Sequence, residues 1–193
     1  MRAQLIALAT HGCSNLRRCL LGAVTERVLR TAPCAVLAVP PLAQRPPSKT
    51  VRLRRIVCAT DFSLASARAL RYAVPLAVAA EAALTVAHIV ELPPQVPEMV
   101  VDLTPYRHAR FNQAQKELDA AVTPYAPTLA VDKLLLAGGA GPELLRLAAE
   151  QQADLLVMGL HGRGAGDLML FGSITQHVLR RASCAVLAVP AGN

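Results

Sequence analysis

The sequence predicts an α/β protein: a doubly wound, five-stranded parallel sheet over 51–193, preceded by a partial β-α-β repeat in 1–40. Three observations support this prediction. Strand-like and helix-like segments alternate after residue 50, which favours parallel strands joined by right-handed crossovers. The strand-like segments are apolar throughout, as expected when helices cover both faces of a sheet. Finally, a segment of 36 residues occurs twice along the chain.

The repeat relates residues 5–40 to residues 155–190 at an offset of 150. Without a gap, 17 of 36 positions are identical, and the heptapeptide CAVLAVP recurs unchanged. Segments this similar are expected to share a local fold, so repeats decide the organisation of the chain. The chain therefore reads as the tail of one domain (1–40), a proline-containing linker (41–50) and a complete second domain (51–193).

Each element of the second domain has a local sequence signal. The predicted strands cover 54–60, 83–90, 129–137, 153–159 and 184–189. The predicted helices cover 63–80, 104–122, 141–151 and 172–181. Ser63 is a suitable cap for the first helix, and Thr104 followed by Pro105 is a typical helix start. Pro75 falls inside the first helix and predicts a kink there.

Composition excludes several classes of protein. Apolar residues make up 53% of the chain, which is enough for a core and argues against intrinsic disorder. Aromatic residues make up 3%, so the chain has few side chains for stacking on single-stranded nucleic acid. The net charge of +7 comes mostly from residues 1–50, where seven Lys and Arg face one acid, Glu26. We interpret the basic stretch at 45–55 as a solvated linker, with nucleic-acid binding as the alternative.

The cysteine spacing and the lengths of the apolar runs indicate where in the cell the protein is expected to reside. The five cysteines form no CxxC pair and no zinc-ligand spacing, which predicts reduced thiols and no metal site. No apolar run approaches the roughly 18 residues that a bilayer span requires, and the N-terminus lacks a secretory signal pattern. We therefore expect a cytoplasmic protein without a membrane partner.

The loop at 159–173 carries the chemical signal. Its text is GLHGRGAGDLMLFGS, which follows an apolar strand and leads into a helix. Glycines permit positive φ and leave backbone N–H groups open to a close ligand, and a helix N-terminus attracts phosphate. Arg163 adds a possible bidentate cation. Glycine richness by itself fits a flexible loop equally well, and the loop is neither a P-loop nor a dinucleotide fingerprint.

The spacing Gly159-x2-Gly162-x9-Gly172-Ser173 resembles the ATP-binding signature of the universal stress protein family. ADLLVMGLHGRG, HVLRRASCAVLAVP and IVCATDFS resemble other parts of that family's domain. The resemblance implies an adenine-nucleotide alpha-hydrolase-like fold and a site for ATP, with Mg²⁺ arriving on the nucleotide. It also implies a truncated tandem form, in which only the second domain is complete.

The resemblance implies roles for particular positions. It assigns the base and ribose to the first strand's turn, the second strand and the end of the fourth strand, and the phosphates to the loop and the following helix. These cofactor-binding positions are Ala59, Thr60, Asp61, Ile89, Met158, Gly159, Gly162, Arg163, Gly172, Ser173 and Ile174. At Ala59 the family often has proline, and Asp61 has a second interpretation as a turn aspartate that caps the helix after Ser63.

The N-terminal copy departs from the signature, with Ala9 and Ala23 at the positions of Gly159 and Ser173. If the first position requires left-handed φ, alanine there costs roughly 1–2 kcal/mol. The strands that would hold adenine are absent from this copy, so we expect no nucleotide there. Since domains of the family pair through their last strands, we expect 34–39 to pair antiparallel with 184–189, or a homodimer to use these strands.

These expectations give a first hypothesis and two alternatives. The first is an ATP-binding module that acts as a nucleotide-dependent switch in the stress response. The alternatives are a slow ATPase and a nucleotide-free module for dimerisation or partner binding. No catalytic residue is assigned, because the loop has no phosphate-clamping lysine. His161 is interpreted as structural, since His11 occupies the same place in the copy without a pocket.

Overall fold

The structure is a computed structural model that describes residues 3–10, 22–40, 52–92, 104–162 and 172–191. The N-terminal unit contains β1 (Leu5–Ala9), α1 (Ala23–Thr31) and β2 (Ala35–Val39). The second unit contains β3 (Arg55–Ala59), α2 (Leu64–Ala80), β4 (Ala83–Val90), α3 (Thr104–Val122), β5 (Val131–Ala137), α4 (Ala140–Glu150), β6 (Leu155–Gly159), α5 (Ser173–Arg181) and β7 (Ala185–Val189). A short 3-10 turn at Thr123–Tyr125 follows α3.

The described strands form one sheet in the order β1-β2-β7-β6-β3-β4-β5. The five strands of the second unit are parallel, as predicted. The N-terminal unit adds β1 and β2, which are parallel to each other. β2 runs antiparallel to β7, with Leu37 opposite Leu187. The predicted pairing of 34–39 with 184–189 is therefore the seam at which the two units meet within one chain.

The repeat is visible in the coordinates. β6, α5 and β7 begin and end 150 residues after β1, α1 and β2. Both helices end at residues with extended backbone, Ala32 and Ala182, whose N–H groups donate to Val28 O and Val178 O at 2.8 Å. Sequence identity at this level thus produced the same local structure in two different surroundings.

Helices cover both faces of the sheet, and each face carries its own core cluster. One cluster joins the sheet to α1, α4 and α5 through residues such as Leu29, Leu144 and Val178. The other joins it to α2 and α3 through residues such as Leu70 and Leu118. Because both faces are packed, the interior strands can be apolar along their whole length, as the sequence indicates.

Three local expectations can be compared with the structure. Ser63 caps α2, since its hydroxyl oxygen accepts a hydrogen bond from Ser66 N–H at 3.2 Å. Pro75 lies within α2, which continues as a single helix to Ala80. The predicted helix start at Thr104 is the first residue of α3, and residues 93–103 before it lie outside the described residues. In the described ranges, no helix is long and apolar enough to cross a membrane.

Candidate functional site

The candidate site lies at the carboxyl ends of β3 and β6, which are neighbours at the centre of the sheet. From β3 the chain moves outward to β4, whereas from β6 it moves in the opposite direction to β7. This reversal of strand order leaves a crevice beyond the strand ends, where open α/β sheets bind ligands. Ten of the eleven predicted positions fall among the described residues around this point.

The site has an apolar floor. Ala59 in β3, Ile89 in β4 and Met158 in β6 belong to the core cluster on the α4 and α5 side of the sheet. Their exposed fractions are 8%, 7% and 5%. Ile174, in the first turn of α5, packs against the same cluster. The structure therefore brings together four residues that are distant along the chain, although their burial leaves little of each side chain at the surface.

The turn after β3 is held by Thr60. Its N–H donates to Ala87 O at 2.9 Å, and its hydroxyl accepts from Phe62 N–H at 3.1 Å. The same hydroxyl is 3.2 Å from Ser66 Oγ in α2, and Thr60 O is 2.8 Å from His88 Nδ1. These bonds tie the turn to β4 and α2. Thr60 consequently positions the turn by its side chain and its backbone.

Asp61 connects the turn to the loop after β6. Its Oδ1 accepts a hydrogen bond from Ser63 N–H at 3.1 Å, which is the turn-aspartate role that the sequence offered as a second interpretation. Its Oδ2 lies 2.8 Å from the place where a Cβ on Gly162 would stand. The Asp61 carboxylate is thus directed to the loop of the candidate site while it also stabilises the start of α2.

The glycines of the signature have three different physical roles. A Cβ on Gly159 would lie 2.9 Å from both Ala65 Cβ and Ser66 N, so α2 approaches β6 too closely for any side chain. A Cβ on Gly162 would collide with Asp61, as described above. Among the described residues, a Cβ on Gly172 would have no neighbour nearer than 3.9 Å. The backbone of α2 therefore requires a glycine at 159, whereas a Cβ at 162 would require only the Asp61 carboxylate to move, and the described residues place no such demand on Gly172.

The condition of left-handed φ raised for the first signature glycine is not met at Gly159, and Gly162 does not adopt such a φ either. Among the described glycines, only Gly138 has a φ in the left-handed range, at 141°. The requirement at Gly159 is close approach to α2. Ala9 at the equivalent place therefore carries no left-handed strain; it lies on the exposed β1, in a unit where no described helix corresponds to α2.

The start of α5 presents backbone donors to the site. Gly172 is the N-cap and receives no side-chain capping bond, while its own N–H donates to Leu160 O at 3.2 Å. The first helical bond runs from Gln176 N–H to Gly172 O at 3.0 Å. The N–H groups of Ser173, Ile174 and Thr175 precede that bond, and no acid occupies the first turn. This end of the helix is electrostatically suited to an anion.

The two ends of the loop approach each other. A Cβ on Gly172 would lie 3.9 Å from Gly162 N, so the glycine after β6 adjoins the glycine that opens α5. Thr175 holds this arrangement, because its hydroxyl donates to Gly159 O at 3.1 Å. Ser173 is exposed at the first helical position. Arg163 lies outside the described residues, so its predicted role is not placed by the structure.

Two residues that help to build the site were missed by the sequence analysis. His88 contacts Thr60 O, and its ring centroid lies 4.4 Å from that of Phe62, which has an unusual φ of 63°. The available signal for His88 was a polar residue inside an otherwise apolar strand. The second missed residue is Thr175, and its signal was the threonine at the equivalent place in the repeat, Thr25. Thr25 makes the same contact in the N-terminal copy, where its hydroxyl donates to Ala9 O at 3.0 Å.

The N-terminal copy shows that the contact between the two ends of the loop forms without the rest of the candidate site. Gly22 N–H donates to Thr10 O at 3.1 Å, which reproduces the bond from Gly172 N–H to Leu160 O. In that copy, however, no described strand or turn corresponds to β3, β4 and Asp61. The hydrogen bond that joins the two ends of the loop is therefore a feature of the β-α-β unit, whereas the candidate site also requires the additional strands of the second unit. No described group of three or more His, Cys, Asp or Glu is arranged to hold a metal ion.

The sheet order and the helix start at the carboxyl ends of its central strands define a doubly wound α/β domain. Comparison with known sequences gives the class its name: the universal stress protein family model matches residues 1–40 and 52–190. The chain belongs to the universal stress protein family.

Individual relatives agree with the family assignment. A universal stress protein of Methanocaldococcus jannaschii is 26% identical over 143 residues, covering 70% of this chain and 81% of its own. One of Thermus aquaticus is 43% identical over 58 residues, covering 30% of this chain and 42% of its own, so the chain matches less than half of that relative. A solved universal stress protein of Archaeoglobus fulgidus superposes with a TM-score of 0.66 at 23% identity, covering 98% of this chain and 63% of its own. That likeness shows the shared fold.

Proposed function

We propose that residues 51–193 bind ATP and that the chain acts as a nucleotide-dependent binding module, or switch, in the stress response. The observation that carries the proposal is Gly172. Among the described residues, packing does not demand a glycine there, because a Cβ would make only ordinary contacts of 3.9 Å with Gly162 N and Thr175 Oγ1, beside the first N–H groups of α5. A ligand that approaches the backbone closely gives this glycine its physical reason.

The described residues fit the three parts of ATP. Ala59, Ile89 and Met158 supply apolar contact for the adenine edge of the site. The carboxylate of Asp61 is placed to accept a hydrogen bond from a ribose hydroxyl. The first turn of α5, with the exposed Ser173 hydroxyl, offers donors to the phosphates. Mg²⁺ would arrive on the nucleotide, since the cation prefers phosphate oxygens and water.

A switch follows from the position of the phosphates. Gly162 and Gly172 are the two ends of the intervening loop, and phosphates bound to both would join those ends. Binding energy that favours one arrangement of the loop changes the surface offered to a partner. Hydrolysis, if it occurs, is expected to be slow, because residues 159–173 contain no lysine to clamp a phosphate.

The decisive experiment is a calorimetric titration of purified protein with ATP and Mg²⁺, after bound nucleotide has been removed. We expect saturation near one ATP per chain, since the N-terminal copy lacks the neighbouring strands. The same titration with inorganic triphosphate separates phosphate binding from binding of the complete nucleotide. Absence of heat and of any ATP-induced thermal shift, in a folded sample, would refute the proposal. The nucleotide-free pairing module would then be favoured, since β2 and β7 already pair two repeat-related units.

A further inference from the structure

The turn after β3 contains a residue with left-handed backbone that is not glycine. Phe62 has a φ of 63°, a conformation that residues with a side chain rarely adopt. Such a conformation persists where the surrounding contacts hold it, and it is common at functional sites. The residue before it is Asp61, whose carboxylate is directed to the loop of the candidate site. The contacts that hold Phe62 therefore also determine where this carboxylate lies.

The side chain of His88 in β4 bonds to the backbone of this turn. Thr60 lies one residue beyond the end of β3, and its carbonyl oxygen is 2.8 Å from His88 Nδ1. Because a carbonyl oxygen can only accept, Nδ1 carries the hydrogen in this bond. The preceding residue of β4 is Ala87, whose carbonyl oxygen accepts from Thr60 N–H at 2.9 Å. Two consecutive residues of β4 thus bind both backbone polar groups of Thr60.

The ring of His88 also contacts the ring of Phe62. Their centroids are 4.4 Å apart and their planes are inclined by 34°. Phe62 packs against the core cluster on the α2 and α3 side of the sheet, whereas Ile89, the residue after His88, belongs to the cluster on the other side. Neighbouring side chains of a strand point to opposite faces. His88 therefore holds the turn from the face opposite the apolar floor of the site, where it would not touch a ligand on that floor.

We propose that His88 is a positioning residue of the nucleotide site, which holds the turn so that the Asp61 carboxylate faces the ribose of the bound nucleotide. This inference rests on the proposed function. His88 acts through Thr60 and Phe62, the two residues that flank Asp61. Its contribution is confined to the nucleoside part of the ligand, because the donors proposed for the phosphates lie at the start of α5.

Substitutions of His88 separate its hydrogen bond from its ring. His88→Phe keeps a ring beside Phe62 and removes the donor, so calorimetry should show roughly 2- to 12-fold weaker binding of ATP and unchanged binding of inorganic triphosphate. His88→Gln carries its amide one bond farther from the backbone and should show the same loss. His88→Asn places an amide nitrogen where Nδ1 stands and should restore most of the affinity. His108→Phe, at an exposed histidine of α3, is the matched control and should bind both ligands as wild type does.

A double-mutant cycle tests whether His88 acts through Asp61. Asp61→Ala removes the carboxylate that His88 is proposed to position. Adding His88→Phe to this variant should therefore cause no further loss of ATP affinity, whereas the same substitution weakens binding in wild type. Additive losses would mean that the two residues act independently and would overturn the proposal.

Amide hydrogen exchange tests the turn without a ligand. The N–H groups of Phe62 and Ser63 donate to Thr60 Oγ1 and Asp61 Oδ1 within the turn. They should exchange faster in folded His88→Phe or His88→Gln than in wild type, because the turn has lost a contact that holds it.

The outcomes distinguish this inference from the proposed function on which it rests. If wild type does not bind ATP, both are refuted. If wild type binds ATP, the inference alone is overturned by unchanged affinity or unchanged exchange in the folded variants without the donor. Equal losses for ATP and inorganic triphosphate, or no recovery in His88→Asn, would overturn it as well.

Discussion

Replacing Gly172 by valine tests the candidate site without disturbing the fold. The backbone at Gly172 has φ −58° and ψ 147°, which any residue adopts, and an ideal Cβ there would lie no nearer than 3.9 Å to any atom in the part of the chain that the structure describes. The isolated protein should therefore tolerate the substitution. The added branches would occupy the space between Gly162 N and the first turn of α5, where the phosphates are proposed to bind.

The size of the effect follows from the donors that become blocked. If two charge-assisted hydrogen bonds from the start of α5 are lost, each is worth about 1.5–3 kcal/mol. Their sum of about 3–6 kcal/mol corresponds to roughly 150-fold to 25,000-fold weaker binding of ATP. Isothermal calorimetry measures this loss directly, and urea denaturation should show an unfolding midpoint close to wild type.

Gly22→Val is the matched control, because Gly22 opens α1 as Gly172 opens α5. A Cβ there would meet Thr25 Oγ1 at 3.6 Å and Thr10 O at 3.7 Å, which is ordinary contact. ATP affinity should be unchanged in this variant. Unchanged affinity in folded Gly172→Val would refute the placement of the phosphates, and equal losses in both variants would refute the assignment of the site to the second unit.

Three further predictions concern single side chains. Ser173→Ala removes one donor to the phosphates and should weaken ATP binding by roughly 5- to 150-fold in the same titration; no change would mean that the hydroxyl does not reach the ligand. Gly159→Ala should lower the free energy of unfolding by about 1–3 kcal/mol in urea, because the new Cβ meets the backbone of Ala65 and Ser66; an unchanged midpoint would contradict that close approach. Burial raises the pKa of the Cys58 thiol to about 12, above its ordinary value of 9.0. The unfolded chain therefore binds fewer protons than the folded one between these values, so wild type should lose up to about 1.4 kcal/mol of stability per pH unit relative to Cys58→Ala as pH rises from 9 to 12. Parallel pH profiles of the two proteins would disprove this coupling.

The helices and strands of the second unit were largely predictable, because their signals are local. Ser63, the Thr104-Pro105 start and the apolar runs define element boundaries to within a few residues of those observed. The parallel pairing of these strands was also predicted, since strands that alternate with helices pair through right-handed crossovers, whereas their order in the sheet comes from the structure. The family's spacing of glycines then indicated that the candidate site lies at the carboxyl ends of the strands.

The physical reasons for individual residues were less predictable. The sequence left open whether Gly159 needs a left-handed backbone, whereas the structure shows that it contacts α2, an element nearly 100 residues earlier in the chain. Thr60 was expected at the ligand, yet its hydroxyl is engaged with Phe62 N–H and Ser66. Contacts between distant elements decide such roles, and a spacing pattern carries no information about them.

The sequence by itself determined the two-unit organisation and the local fold of each unit, because 17 identities in 36 positions specify the same β-α-β structure twice. Only the tertiary structure decided what each copy can do. Leu155 is enclosed by β3, β7 and α2, whereas Leu5 at the equivalent place lies on β1, which pairs with β2 alone among the described strands. The reason is physical: burial and strand pairing depend on neighbours from elsewhere in the chain, and the two copies of the repeat have different neighbours.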